Sequence, residues 1–270
     1  MLQNKKVGFL GGGAMAEALL RGILKSGLVT PSQITVNDIS LSRLDYLREK
    51  YQVNISMEGK SVAASADLLF FTVKPQVIHT VLGTVAASVR QDTLVISIAA
   101  GITLATLQQA LPKSPVVRVM PNTPAAVGEA MSAIALGTYA NEEMGKIASA
   151  IFSSVGQVVL LPESLLDAVT GLSGSGPGYV FVMIDALADA GVRAGLSRAD
   201  AILLSAQTLL GAAKMVIETG EHPAKLRDMV TSPGGTTIAG IHVLEQQGIR
   251  AAISDAVMAA TNRSRELGKK

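Results

Sequence analysis

Short apolar runs alternate with amphipathic stretches across residues 6–161. Lys6–Leu10, Ile34–Asn37, Leu68–Val73, Leu94–Ile98 and Val116–Met120 are rich in Val, Ile, Leu and Phe and predict strands, with weaker signals at Ser132–Leu136 and Gln157–Leu161. Apolar residues at helical spacing predict helices over Met15–Ser26, Leu41–Lys50, Pro75–Ser88, Leu104–Leu111 and Glu142–Val155. Continuous apolar strands separated by such helices predict a parallel sheet covered on both faces. From about Glu163 the strand pattern stops. Val180, Ile184, Leu187 and Gly191, then Ile202, Ala206, Leu209, Ala213 and Val216, mark helices instead. The second set is apolar on more than one face, so it needs cover from several sides, and an intertwined dimer would supply it.

Composition narrows this picture. Apolar residues make up 49% of the chain and charged ones 16%, which fits either apolar area buried between subunits or a large aliphatic core. The net charge is +2 and no Lys/Arg run is present, so neither nucleic acid nor an anionic membrane is an expected partner. The absence of cysteine excludes disulfides, thiolate nucleophiles and Cys-based metal sites. No unbroken apolar run reaches the roughly 20 residues of a spanning helix. Glu17 and Arg21 interrupt what would otherwise resemble a signal peptide. A cytoplasmic protein is expected.

The candidate chemistry begins at the end of the first predicted strand. Gly11, Gly13 and Ala16 make the pattern G-x-G-x-x-A between a strand and a helix, which is the dinucleotide fingerprint in its expected setting. Gly11 permits a tight turn, Gly13 lets backbone approach a pyrophosphate, and the helix N-terminus offers free N–H groups. Other predicted strands end in small-residue or proline clusters, Lys74-Pro75, Ser97–Gly101 and Met120–Pro124, at the edge where open sheets bind ligands. Asp38 lies where a carboxylate would take a ribose 2′-hydroxyl, yet it equally suits the cap of the helix near Leu41. Ser40, Ser42 and Arg43 nearby offer donors for a 2′-phosphate. The fold expected is α/β: a Rossmann-type dinucleotide-binding domain over residues 1–161, then an all-α dimerisation domain over 162–270.

The helical half carries two glycine-rich turns, Leu172–Gly178 with Pro177 near a helix start, and Thr231–Thr237. Each is read either as an N-cap with a turn or as a cradle for a small carboxylate. His79, His222 and His242 are scattered without metal-ligand spacing; His222-Pro223 reads as a helix start, and no metal is expected. No nucleophile elbow or carboxylate pair stands out, which leaves the hard chemistry to a cofactor.

Gly-Phe-Leu-Gly-Gly-Gly-Ala-Met-Ala-Glu-Ala-Leu (8–19), Val-Lys-Pro-Gln (73–76), Arg-Val-Met-Pro-Asn-Thr-Pro (118–124), Gly-Ser-Gly-Pro (174–177) and Arg-Asp-Met-Val-Thr-Ser-Pro-Gly-Gly-Thr-Thr (227–237) together resemble pyrroline-5-carboxylate reductases, in order and nearly end to end. The resemblance implies reduction of the cyclic imine to L-proline with NAD(P)H, the last step of proline biosynthesis. It implies that Thr237 bonds the ring nitrogen, that the N–H groups of Gly234, Gly235 and Thr236 hold the substrate carboxylate, and that Ser175, Gly176 and Pro177 shape the opposite wall. For the cofactor it implies Leu10, Gly11, Gly12, Gly13, Ala14 and Met15 at the pyrophosphate. Thr72, Val73, Lys74, Pro75, Ala99, Ala100 and Gly101 would lie along ribose and nicotinamide, and Asn122 near the nicotinamide ribose. Asn37, Asp38 and Ser40 would meet the adenosine ribose, but Asn37–Ser40 departs from the family pattern that favours a 2′-phosphate. NADP(H) is therefore expected with NAD(H) admitted, alongside a small-molecule substrate and a homodimer, or larger assembly, built through the helical domain. Two rivals remain: a β-hydroxyacid dehydrogenase-like reductase, whose lysine position is held here by Val180, and a non-catalytic dinucleotide-binding module.

Overall fold

The computed structural model describes Leu2 and residues 4–268. In chain order the first elements are β1 (Val7–Leu10), α1 (Ala14–Lys25), β2 (Ile34–Asn37), α2 (Leu41–Tyr51), β3 (Asn54–Ser56), α3 (Gly59–Ser65), β4 (Leu68–Phe71), α4 (Ile78–Val85), β5 (Leu94–Ser97), α5 (Leu104–Ala110), β6 (Val116–Met120), β7 (Ala130–Leu136), α6 (Glu142–Ser153) and β8 (Gly156–Leu160). Among the described residues the eight strands form one sheet, ordered β3-β2-β1-β4-β5-β6-β7-β8. The order reverses between β1 and β4, so the C-terminal ends of these two strands flank a switch-point crevice, the usual ligand position of such sheets.

Period-two alternation explains why both faces are covered. On β1, Phe9 joins one core and Leu10 the other; on β4, Phe70 and Phe71 divide in the same way. Phe9 and Phe70 stack with ring centroids 4.6 Å apart, which fixes the β1–β4 register beneath the crevice.

The expectation of a wholly parallel sheet is corrected at β7, which runs antiparallel to β6. Only a short connection with a 3₁₀ turn at Thr123–Val127 joins them, whereas a parallel crossover needs a dozen or more residues and usually a helix. The link from β7 to β8 contains α6, and that pair is parallel. The edge strand β3 and helix α3 went unpredicted. The helix expected over Pro75–Ser88 is α4 flanked by 3₁₀ turns at Pro75–Val77 and Ala86–Ser88.

The remaining elements are helical: α7 (Leu166–Val169), a π-helical stretch at Thr170–Gly174, α8 (Gly176–Arg193), α9 (Arg198–Thr219), α10 (Pro223–Met229), α11 (Thr236–Gln246) and α12 (Ile249–Leu267). Leu172–Gly178 is therefore no turn, which corrects that reading. In an α-helix the Ser173 carbonyl would accept the N–H of residue 177, but Pro177 has none. The chain widens to i→i+5 pairing, with Ser175 N–H bonded to Thr170 O at 2.8 Å. Pro177 sits in the first turn of α8, where proline is tolerated.

Two compact units result, one comprising Met1–Ser175 with Ala259–Lys270, the other Gly176–Met258. Within the first, Ser264 Oγ donates to Asp167 Oδ1 at 2.6 Å. The second buries little: Phe181, Val182, Leu203, Ile217 and Val243 are all exposed. Arg198–Thr219 also meets the length and mean hydropathy of a membrane-spanning helix, with only 6% of that window buried. Unbroken apolar runs did not suggest this, because Ser205, Gln207 and Thr208 interrupt the pattern.

One ion pair ties the post-sheet segment to the sheet. Arg118, buried on β6, donates to Glu163 Oε1 at 2.9 Å, and the same oxygen takes the Leu104 N–H at the start of α5 at 2.6 Å. Replacing Glu163 with alanine should cost about 2–3 kcal/mol in urea unfolding, less than the usual loss for a fully buried pair because Glu163 is partly open to water.

Candidate functional site

The glycine turn after β1 is held mainly by its own chain. Gly11 has φ +102°, and a Cβ there would meet the Thr72 backbone at 3.0 Å, so both conformation and space require glycine. Thr72 locks the turn from below, its hydroxyl donating to Gly11 O at 2.6 Å and Leu10 O at 3.0 Å. Gly12 is confined by Leu47, Val36 and Asp38. Gly13 is different. Its φ is −66° and nothing lies within 4 Å of where its Cβ would stand, so nothing inside the chain demands glycine. It is also the N-cap of α1, without a side-chain cap. The first-turn N–H groups, those of Ala14 and Met15 among them, lie at this uncapped end of the helix. A diphosphate fits there, because the bare backbone leaves room for it and the helix end favours negative charge.

Asp38 is spoken for. Its Oδ2 accepts from Gly12 N at 2.7 Å and its Oδ1 from Ser40 N at 2.9 Å. The cap of α2 is Ser40, whose Oγ accepts from Arg43 N, so the helix-cap alternative for Asp38 gives way to a loop-bridging role. Asn37 reaches across to Ser56 O with its Nδ2 at 2.9 Å. Leu10 and Ala99 are buried, Lys74 and Ala100 are exposed, and Val73, Pro75 and Gly101 lie between. Gly101 takes φ +75°. All of these stand at the C-terminal ends of β1, β2, β4 and β5, along one edge of the sheet.

Asn122, beyond β6, is a strut. Its Oδ1 accepts from Met131 N at 2.9 Å, and its Nδ2 donates to the Ser173 carbonyl at 3.0 Å, the one that Pro177 leaves without a helical donor.

The sequence reading passed over the cluster around Glu17 on α1. Its Oε2 accepts from Arg43 Nη2 at 2.6 Å, and its Oε1 from Tyr51 at 2.8 Å, Tyr46 at 2.9 Å and Lys50 at 3.1 Å. Arg43 also donates through Nε to Gly12 O at 2.5 Å, so the cluster grips the glycine turn. Burial pushes the Glu17 carboxyl up, but the bonds from Arg43, Tyr51, Lys50 and Tyr46 outweigh it and hold the group at about 2. The Tyr46 and Glu17 contacts raise Lys50. Burial and the Glu17 bond raise Tyr51.

In the helical unit, Thr231–Thr237 forms the turn foreseen. Pro233 and Gly234 occupy its centre, Gly234 at φ +66°, and Gly235 N closes onto Ser232 O at 3.0 Å. This is the type II pattern, with proline second and a positive-φ glycine third. Gly235 caps α11 without a side-chain bond, so the first-turn N–H groups stay available. Thr236 and Thr237 are exposed. An open groove of about 450 Å³ runs beside this turn, lined by Gly234, Gly235, Ile238, Ala239, His242 and Glu245 among others. His242 and His79 are exposed helix residues, and His222 caps α10, its Nδ1 accepting from Ala224 N.

Residues 163–267 match the family model described as pyrroline-5-carboxylate reductase dimerisation, and residues 6–101 match NADP oxidoreductase, coenzyme F420-dependent. The pyrroline-5-carboxylate reductase of Methanosarcina acetivorans is 50% identical over the whole of both chains. The chain belongs to the pyrroline-5-carboxylate reductase family. The Arabidopsis thaliana reductase is 49% identical, over 99% of this chain and 97% of its own. Among solved structures, the Coxiella burnetii pyrroline-5-carboxylate reductase superposes with TM-score 0.93 at 37% identity, covering 98% and 99% of the two chains. The Plasmodium falciparum reductase, solved with NADP bound, gives 0.87 at 31% identity and 98% coverage of each. Prephenate dehydrogenase from A. aeolicus, at 15% identity and TM-score 0.55, shares the fold alone. The chain is thus a reductase-family protein with an NADP-type oxidoreductase domain and a dimerisation domain.

The Glu17 cluster carries a pH signature. Lowered from 4.5 to about 2, Glu17 gives stability that is complete above its unfolded value and is lost as pH falls through that window. The wild type's advantage over Glu17→Gln in urea midpoint should be full at about pH 6 and shrink between about pH 4.5 and 2. A difference constant across that window would contradict the assignment.

Proposed function

We propose that this chain reduces 1-pyrroline-5-carboxylate to L-proline with NAD(P)H, residues 1–161 holding the dinucleotide and residues 162–270 the substrate. The observation that carries the reading is identity to a named reductase over the entire length of both chains, joined to a backbone cradle in each part. When bound, the reduced nicotinamide supplies the hydride for the imine carbon C5. The free N–H groups after Gly13 would hold the diphosphate. The N–H groups of Gly234, Gly235 and Thr236 suit the substrate carboxylate, because they end a turn with no side chain of its own to satisfy them. The Thr237 hydroxyl, on the first turn of α11, would hydrogen-bond the ring nitrogen and keep the imine oriented and polarised. A protonated imine is already electrophilic, so this role needs no strong base. Ser175, Gly176 and Pro177, where the π-helical stretch enters α8, would shape the wall of the substrate site. Asn122 holds the end of β6 in place for Met120–Pro124 to border the nicotinamide ribose. Asp38 and Ser40 would meet the adenosine ribose, and Lys74 the cofactor's charge.

The exposed apolar faces of α8, α9 and α11 support a homodimer through the helical half, which would cover α9 with protein rather than lipid. Placement in the cytoplasm belongs to the same reading, and a chain without cysteine needs no oxidising compartment to form disulfides. The dehydrogenase alternative lacks its lysine, since Val180 occupies that position.

Oxidation of NADH and of NADPH, followed separately with pyrroline-5-carboxylate, tests the activity; turnover with neither would overturn it. Thr237→Ala should lower kcat at least about a hundredfold while dinucleotide Kd stays unchanged. Gly13→Val should weaken dinucleotide binding about tenfold or more with little change in Tm, because the added side chain enters space that only a ligand would fill.

A further inference from the structure

Arg43 and Asp38 approach Gly12 from two sides, Asp38 Oδ2 taking its N–H at 2.7 Å and Arg43 Nε donating to its carbonyl at 2.5 Å. A carboxylate accepts from a ribose 2′-hydroxyl but repels a 2′-phosphate, which an arginine nearby would receive. The arginine on this residue is already engaged within the chain. Its Nη2 lies 2.6 Å from Glu17 Oε2, and its guanidinium carbon sits 5.0 Å from the centre of the Tyr46 ring. Glu17 also draws in Lys50 at 3.1 Å, so one carboxylate engages two cations of α2.

We propose that Glu17 is a positioning residue for cofactor choice: by holding Arg43 on the glycine turn it withholds that guanidinium from a 2′-phosphate and keeps the site open to NADH. The proposal rests on the reading that residues 10–15 and 37–43 hold the dinucleotide. Glu17 touches no part of the cofactor in this scheme. It acts through Arg43, and its own negative charge adds to that of Asp38 against a dianionic substituent.

Direct titration of NADPH and NADH, read by nicotinamide fluorescence without substrate, separates this from a merely structural role. In Glu17→Gln, which keeps the side chain's shape and removes its charge, NADPH should bind about three- to tenfold more tightly relative to NADH. Glu17→Asp should stay near the wild-type ratio, and the double variant Glu17→Gln, Arg43→Gln should lose the gain. Adenosine 2′,5′-bisphosphate against 5′-ADP should repeat the pattern, which places the effect at the 2′ position. An equal weakening of both dinucleotides, a selective weakening of NADPH, or a gain that survives in the double variant would overturn the proposal. Failure of the wild type to bind either dinucleotide would overturn the site itself.

Discussion

The glycine turn between β1 and α1 is the constraint on which the dinucleotide half depends. The chain must leave a central strand and enter a helix within three residues, which only a positive-φ residue at Gly11 allows. Neighbouring strands then consume the polar groups this exposes. Thr72 takes carbonyls from below, Asp38 takes the Gly12 N–H, and Arg43 takes the Gly12 carbonyl. The first-turn N–H groups beyond Gly13 are left over, as at any helix N-terminus without a side-chain cap. A cradle held this way is pre-organised, so little ordering cost remains when an anion arrives.

The same logic explains why Glu17, in the first turn of α1, matters. An arginine over the turn would add unbalanced positive charge to a partly buried place. A carboxylate in the first turn of α1 is favoured by the helix end and neutralises that charge. The bonds from Arg43 first, then Tyr51, Lys50 and Tyr46, outweigh burial, which is why the Glu17 carboxyl stays so far below the ordinary range. Turn, helix and cofactor edge are thereby joined through one side chain.

Much of this was legible in the sequence where the signal is local. The strands that end at the crevice are continuous apolar runs, and the strand–glycine–helix order of residues 7–16 is a short-range pattern. What escaped detection depends on neighbours. β3 spans Asn54–Ser56, too short and polar to announce a strand; it exists because β2 offers an edge. The direction of β7 follows from connection length rather than from its own residues. Arg43, Tyr46 and Lys50 recur at helical spacing on α2, a readable face, but nothing in the chain said that this face meets Glu17 of α1. The π-helical stretch needed two facts at once: that Pro177 lacks a donor, and that Asn122, beyond β6, supplies one to Ser173.

The second cradle works by a different economy of polar groups. Around Gly11 the side chains of Thr72, Asp38 and Arg43, from other segments, satisfy the turn, whereas Thr231–Thr237 is closed by its own Ser232–Gly235 bond, and Thr236 and Thr237 stay exposed. A threonine hydroxyl is neutral at any physiological pH, so Thr237 can donate a hydrogen bond or relay a proton but cannot act as a charged acid or base. On the proposed reading this suits a substrate that is already activated, and a cyclic iminium is one. A ketone would call for a proton donor at its oxygen, and the position of the lysine that a hydroxyacid dehydrogenase would use is held by Val180 in this chain. On the proposed reading, a neutral hydroxyl at Thr237 suits the reduction of a C=N bond that is already activated better than that of a ketone.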